Sequence, residues 1–199
     1  MKRKLISRLM PLALAFALPA LAQDAAPAVS PEQQAMMSAY EAAAAPGPEH
    51  AALARMAGSY DLAIKSWNTP DGGPSLESGT ATRRLILGGR VMVEEMEATM
   101  MGQPFTGIGM HGFDNVSGKH WSTWADNLST GLMVSEGSCD DAGACAFTGS
   151  WNDPVSKQPV SARMTSRPVS DTVEVFEMFG PGPDGKEIRM MEITYTKRP

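Results

Sequence analysis

Three histidines, two cysteines and a set of alternating carboxylates are the residues of this 199-residue chain whose types and spacing could do chemistry. His111 and His120 flank the turn Asp114-Asn115-Val116-Ser117-Gly118. A hairpin centred on Val116-Ser117 sets residue 111 opposite residue 122, which makes the two histidines diagonal neighbours on one strand face. Trp124 and Asp126 share that face. Diagonal neighbours lie about 7–8 Å apart, within reach of a bridging ligand or of a metal held by His, His and Asp. A one-residue slip would separate the rings. The simpler arrangement has His111 hydrogen-bonded in the wall and His120 exposed near the turn. His50 sits on a short helix and reads as solvated.

The carboxylates leave two arrangements open. Glu95 and Glu97 alternate with Val91 and Val93 on one strand face, and Met92, Met96 and Met100 occupy the other. With the Glu face inward, Arg84, Glu95 and Glu97 form an interior polar patch suited to a charged ligand or to acid–base work. With the Met face inward, the glutamates are an ordinary solvated surface, and no buried charge needs a partner. Glu136, Glu177 and Glu192 face the same choice. No nucleophile elbow, H-E-x-x-H helix, phosphate loop or dinucleotide fingerprint at a strand–helix junction occurs. The fifteen methionines are dispersed and suit an irregular cavity better than a copper tract.

Cys139 and Cys145 flank a five-residue Asp/Gly-rich turn whose midpoint is Ala142. Pairing about that midpoint sets them opposite each other, at a separation a disulfide tolerates. A two-thiol metal site lacks further ligands, and the spacing is not that of a redox C-x-x-C pair. The expectation is a structural disulfide.

The elements that must position these residues begin behind an address. Met1–Lys4 and Arg8 supply positive charge, residues 9–18 are apolar, and Ala20-Leu21-Ala22 is a small-residue cleavage site. Residues 1–22 thus read as a secretory signal peptide, too short in its apolar part to span a bilayer. The expected localisation is exported, periplasmic or secreted, with no stable membrane anchor after cleavage. Residues 23–57 read as a flexible lead-in with one or two short helices; Ser30-Pro31-Glu32-Gln33 has the form of a capping box. Residues 58–199 change to period-two patterning broken by turn signals about every ten residues. Strands are expected near 59–67, 78–88, 91–101, 104–113, 119–127, 131–138, 145–151, 159–166, 172–179 and 187–196. Links this short join antiparallel neighbours, and about ten such strands are expected to close into an up-and-down barrel, which removes their edges, with a two-sheet sandwich as the alternative. Gly107 and Gly109, on one face of a strand, allow a bend or a close approach. A formal charge of −5 argues against nucleic acid as a partner.

Several stretches together resemble the bacterial domain of unknown function 1579 family. They include Gly79-Thr80-Ala81-Thr82-Arg83-Arg84, Gly88-Gly89-Arg90, Gly102-Gln103-Pro104-Phe105, Gly112-Phe113-Asp114-Asn115, Thr123-Trp124-Ala125-Asp126 and Met191-Glu192-Ile193-Thr194-Tyr195. The resemblance spans roughly residues 50–198. It implies an all-β, lipocalin-like (calycin-type) antiparallel barrel and carries no activity or catalytic residues with it.

The resulting expectation is a noncatalytic protein whose barrel holds one small, largely apolar ligand, with no cofactor. His111, Trp124 and Asp126 are the expected ligand-binding residues, with Arg84 as polar anchor. The alternatives are an envelope enzyme, an isomerase or hydrolase using interior carboxylates and His111, or a structural module with a solidly packed barrel.

Overall fold

The structure is a computed structural model that describes residues 29–67, 72–154, 156–182 and 185–199. The expected signal peptide lies outside the described residues.

Helix α1 (Pro31–Ala44) starts as its sequence dictates. Gln33 N donates to Ser30 Oγ at 3.2 Å, and Ser30 N donates to Gln33 Oε1 at 2.9 Å, closing the capping box. None of its residues is buried. Its end is tied down by Asn115 Nδ2, which donates to the carbonyls of Ala43 and Ala45, and by Arg90 Nε, which donates to Ala44. Helix α2 (Pro48–Arg55) follows after Gly47, with Pro48 in the first turn and Arg55 in the last, where each suits the helix end.

Among the described residues, ten strands then run in sequence order: β1 Gly58–Ser66, β2 Ser75–Ile86, β3 Val91–Met100, β4 Gln103–Asp114, β5 Lys119–Asp126, β6 Met133–Cys139, β7 Cys145–Asn152, β8 Pro159–Ser170, β9 Val173–Pro181 and β10 Glu187–Lys197. Each pairs antiparallel with its sequence neighbours, and β1 pairs with β10, so the sheet closes as an up-and-down barrel. Among the described residues, closure leaves no strand edge unpaired. Period-two alternation decides which side chains enter: β1 buries Tyr60, Leu62 and Ile64 and exposes the residues between them.

Register at the β4–β5 hairpin follows from its turn. The Asp114 carboxylate accepts from the backbone N–H of Val116 at 2.9 Å and of Ser117 at 3.2 Å. Gly118, at φ +68°, supplies the left-handed position that closes the turn. His111 therefore faces Ser122, as the hairpin arithmetic requires.

The apolar core lies to one side of the lumen. Tyr60, Leu62, Ile64, Ala81, Met96, Met100, Phe105, Ile193 and Tyr195 form it, all from β1–β4 and β10. Among the described residues, no apolar side chain between Phe105 and Ala162 is buried. The barrel is packed along one wall and hollow along the other.

Candidate functional site

The hollow side is a cavity of about 2080 Å³. Register puts Gly107, Gly109, His111 and Phe113 of β4 on the inward face, opposite Asp126, Trp124, Ser122 and His120 of β5. The two glycines are there for Trp124. A Cβ on Gly107 would sit 2.8 Å from Trp124 Cη2, and one on Gly109 would sit 3.1 Å from Trp124 Cε3 and 3.3 Å from His111 Nε2. Bare backbone thus lets the indole lie flat on the wall, where it stacks on Phe105 with ring centroids 6.3 Å apart. Trp124 Nε1 donates to Asp126 Oδ2 at 3.0 Å, which fixes the ring.

Between this wall and the packed core sits a buried polar cluster. Arg83 and Glu94 are directly opposed on β2 and β3, and Glu174 and Tyr195 on β9 and β10. Arg83 Nε donates to Glu94 Oε2 at 2.5 Å, and its Nη1 donates to Glu174 Oε2 at 2.6 Å. Tyr195 OH donates to Glu94 Oε1 at 3.1 Å, so both Glu94 oxygens are engaged. The guanidinium also lies over the Tyr60 and Tyr195 rings, 4.8 and 4.3 Å from their centroids. Burial alone would raise the Glu94 carboxyl, yet Arg83, His111 and the two hydrogen bonds hold it below its ordinary range. Burial and the Glu94 charge push the Tyr195 phenol well above its own.

His111 borders this cluster: it pairs with Met92, two positions along the β3–β4 register from the Glu94–Gly109 pair and on the same face. Burial lowers its pKa, opposed by Glu94, and the Arg83 charge lowers it further. Its Nε2 is buried without a hydrogen-bond partner in the protein. His111 is therefore not the hydrogen-bonded wall residue of the simpler expectation.

One end of the barrel is covered by α2. His120 Nε2 meets Glu49 Oε2 at 3.3 Å, and Phe113 stands edge-on to both His120 and His50. His50 and Leu53 are buried. His50, expected to be solvated, and His120, expected to be exposed, are both buried, because the helix folds back over the mouth beside them. His111, His120 and Asp126 share the inward face, but among the described residues no three His, Cys, Asp or Glu gather in a metal-binding group.

The structure turns the Met face inward. Arg84 and Glu95 lie outside the barrel, 53% and 54% exposed and 3.5 Å apart, and Glu97 is exposed beside them. Arg84 is therefore not an interior polar anchor; the arginine that faces the interior is Arg83, one residue away and on the opposite face. Glu95 and Glu97 thus supply no interior acid for the enzyme alternative. Arg83, Glu94, Glu174 and Tyr195 were not singled out from sequence, although Glu94 has the parity of Met92 and Met96. The tryptophans divide: Trp124 and Trp151 line the cavity, Trp121 covers Gly112 on the outer face, and Trp67 lies under the Arg189 guanidinium. Cys139 and Cys145 are opposed across β6 and β7 and form a disulfide, with Cα atoms 4.0 Å apart.

Comparison with solved structures finds a redesigned β-barrel of 12% sequence identity. The match covers 74% of this chain and 96% of that one, at a TM-score of 0.40. No curated protein matches the chain. A family model described as a protein of unknown function, DUF1579, matches residues 45–197, which take in α2 and the entire barrel; the chain belongs to that family.

Proposed function

We propose that the barrel binds a small, largely apolar molecule in its lumen and performs no chemistry on it. The carrying observation is the half-filled interior. Met133, Phe147, Trp151 and Met178 face the cavity and are only partly covered, so apolar surface that a packed core would bury is left for an occupant. A solidly packed structural module would not have it. We also read the protein as exported, without a membrane anchor once its signal is cleaved and without nucleic acid as partner. The disulfide supports this, and no described helix is long and apolar enough to cross a membrane.

The test is uptake of the uncharged dye N-phenylnaphthylamine, followed by native mass spectrometry of gently purified protein. Dye fluorescence should rise on binding, and a ligand at about a hundredfold its Kd should raise Tm by roughly 5–10 °C. Absence of dye uptake together with an empty mass and an unmoved Tm would refute the reading.

A further inference from the structure

The Arg83 cluster lies at the end of the barrel that α2 covers: Arg83 is near the end of β2, Glu94 near the start of β3, Glu174 at the start of β9 and Tyr195 near the end of β10. Helix α2 packs against β2, β3 and β4, so Glu174 belongs to the other side of that mouth. Its side chain is 18% exposed, against 3% for Glu94, and it lines the cavity. Two atoms of the cluster are left over. Arg83 spends Nε on Glu94 and Nη1 on Glu174, which accepts through Oε2. Arg83 Nη2 and Glu174 Oε1 make no hydrogen bond within the protein. Neither atom is sealed off, because among the described residues only His111 Nε2 is both buried and unpartnered. The lumen therefore meets one free donor and one free acceptor, on side chains that already hold each other in place.

The charge of the cluster restricts what fits there. One guanidinium stands against two carboxylates, a net single negative charge. A carboxylate head would accept from Nη2 but set a second anion against Glu174 Oε1 in a poorly solvated place. An ammonium would donate to Oε1 and leave Nη2 facing a cation. An ester would accept from Nη2 and leave Oε1 unmatched. A primary carboxamide serves both atoms: its carbonyl accepts from Nη2, its N–H donates to Oε1, and it brings no charge. Both bonds are to ionised groups, which makes them the stronger kind. Beyond the head, Phe176 and Met178 follow Glu174 at two-residue steps on the same face of β9 and line the cavity. Four strand residues span about 13 Å, room for an eight-carbon chain.

Resting on the binding reading above, we infer that the occupant is an amphiphile with an uncharged amide head, its carbonyl on Arg83 Nη2 and its N–H on Glu174 Oε1. The barrel selects such amides over the matching acids, amines and esters. The head sits at the α2 end of the lumen, and the apolar body runs past Phe176 and Met178 into the hollow half.

The test competes octanamide, methyl octanoate, octanoate and octylamine against bound N-phenylnaphthylamine. Octanamide should bind about tenfold more tightly than methyl octanoate, the scale of one hydrogen bond to an ionised group, and at least about tenfold more tightly than octanoate or octylamine. These four affinities are read on the unmutated protein, so they stand even where a variant folds poorly. Glu174→Leu should abolish the preference for octanamide over methyl octanoate. Glu174→Gln, which keeps an acceptor oxygen and drops the charge, should retain that preference and narrow the gap between octanoate and octanamide. Methyl octanoate binding as well as octanamide, octanoate or octylamine binding best, or an unchanged preference in a folded Glu174→Leu would overturn the inference while leaving the binding reading intact. If neither the dye nor any octyl probe binds, both fail.

Discussion

Replacing Arg83 with Met tests the buried cluster most directly. Met fills much the same space as the arginine stem and brings no charge. The change strands Glu94, whose side chain is 3% exposed, with only the Tyr195 hydroxyl for a partner. Breaking a buried pair from one side typically costs about 3–5 kcal/mol. Here the charge part has a ceiling, because Glu94 can take up a proton instead. Neutralising a carboxyl of ordinary pKa 4.5 costs about 1.4 kcal/mol per pH unit above that value, hence about 3.4 kcal/mol at pH 7 and about 0.7 kcal/mol at pH 5. In the unmutated protein Glu94 is held below 4.5, so its contribution is present above that pH and is lost only as pH falls through the lowered value. The deficit of Arg83→Met should therefore be about 3–4 kcal/mol near pH 7 and shrink to roughly 1 kcal/mol near pH 5. Urea denaturation of both proteins at the two pH values measures it. Arg83→Met/Glu94→Gln should recover most of the loss at pH 7 and show no such pH dependence. A deficit that is equal at both pH values, or a double variant no more stable than the single one, would refute the assignment of Glu94 as a buried, ionised partner.

Three further outcomes follow from the same geometry. Gly107→Ala pushes a methyl group into the Trp124 ring and should destabilise by about 1–3 kcal/mol, with a change in tryptophan fluorescence that a surface glycine substitution such as Gly73→Ala does not produce. Replacing both cysteines with Ala removes a bridge that closes a loop of sequence separation 6, and should lower stability by roughly 2–3 kcal/mol in calorimetry. His111, faced by Glu94, Arg83 and Glu174, has its pKa held below 6.5. Below about pH 6.5 the unfolded chain takes up a proton there that the folded chain refuses, so stability falls with pH, and His111→Phe should flatten that part of the denaturation profile.

What the sequence made legible was whatever rests on local rules. The Ser30 capping box, the turn residues, the two-residue period and the short links between strands led to a closed ten-stranded barrel. The turn at Val116-Ser117 gave the correct partner for His111, and symmetry about Ala142 gave the disulfide. The polar cluster was hidden for two reasons. Alternation sorts residues into faces but does not say which face is inside, and the choice between the Met and Glu faces of β3 was left open. Arg83, Glu94, Glu174 and Tyr195 also come from four strands, and Glu174 and Tyr195 meet Arg83 only because the barrel closes through β1 and β10. His50 and His120 were misplaced for a related reason: nothing local in residues 48–55 says that the helix folds back over the barrel mouth.

The lopsided interior has a mechanical consequence. The wall of β1–β4 and β10 is held by close-packed side chains, whereas β5–β7 are held mainly by their hydrogen-bonded ladders and bury no apolar side chain among the described residues. Such a wall is the natural place for local opening, since little packing is lost when its ladders part. The one covalent crosslink joins β6 to β7 and lies in that wall. Hydrogen exchange would thus find two regimes in one sheet: slow amides on the filled side, and faster ones on the hollow side, where the strand pair joined by the bridge can only part from its neighbours together.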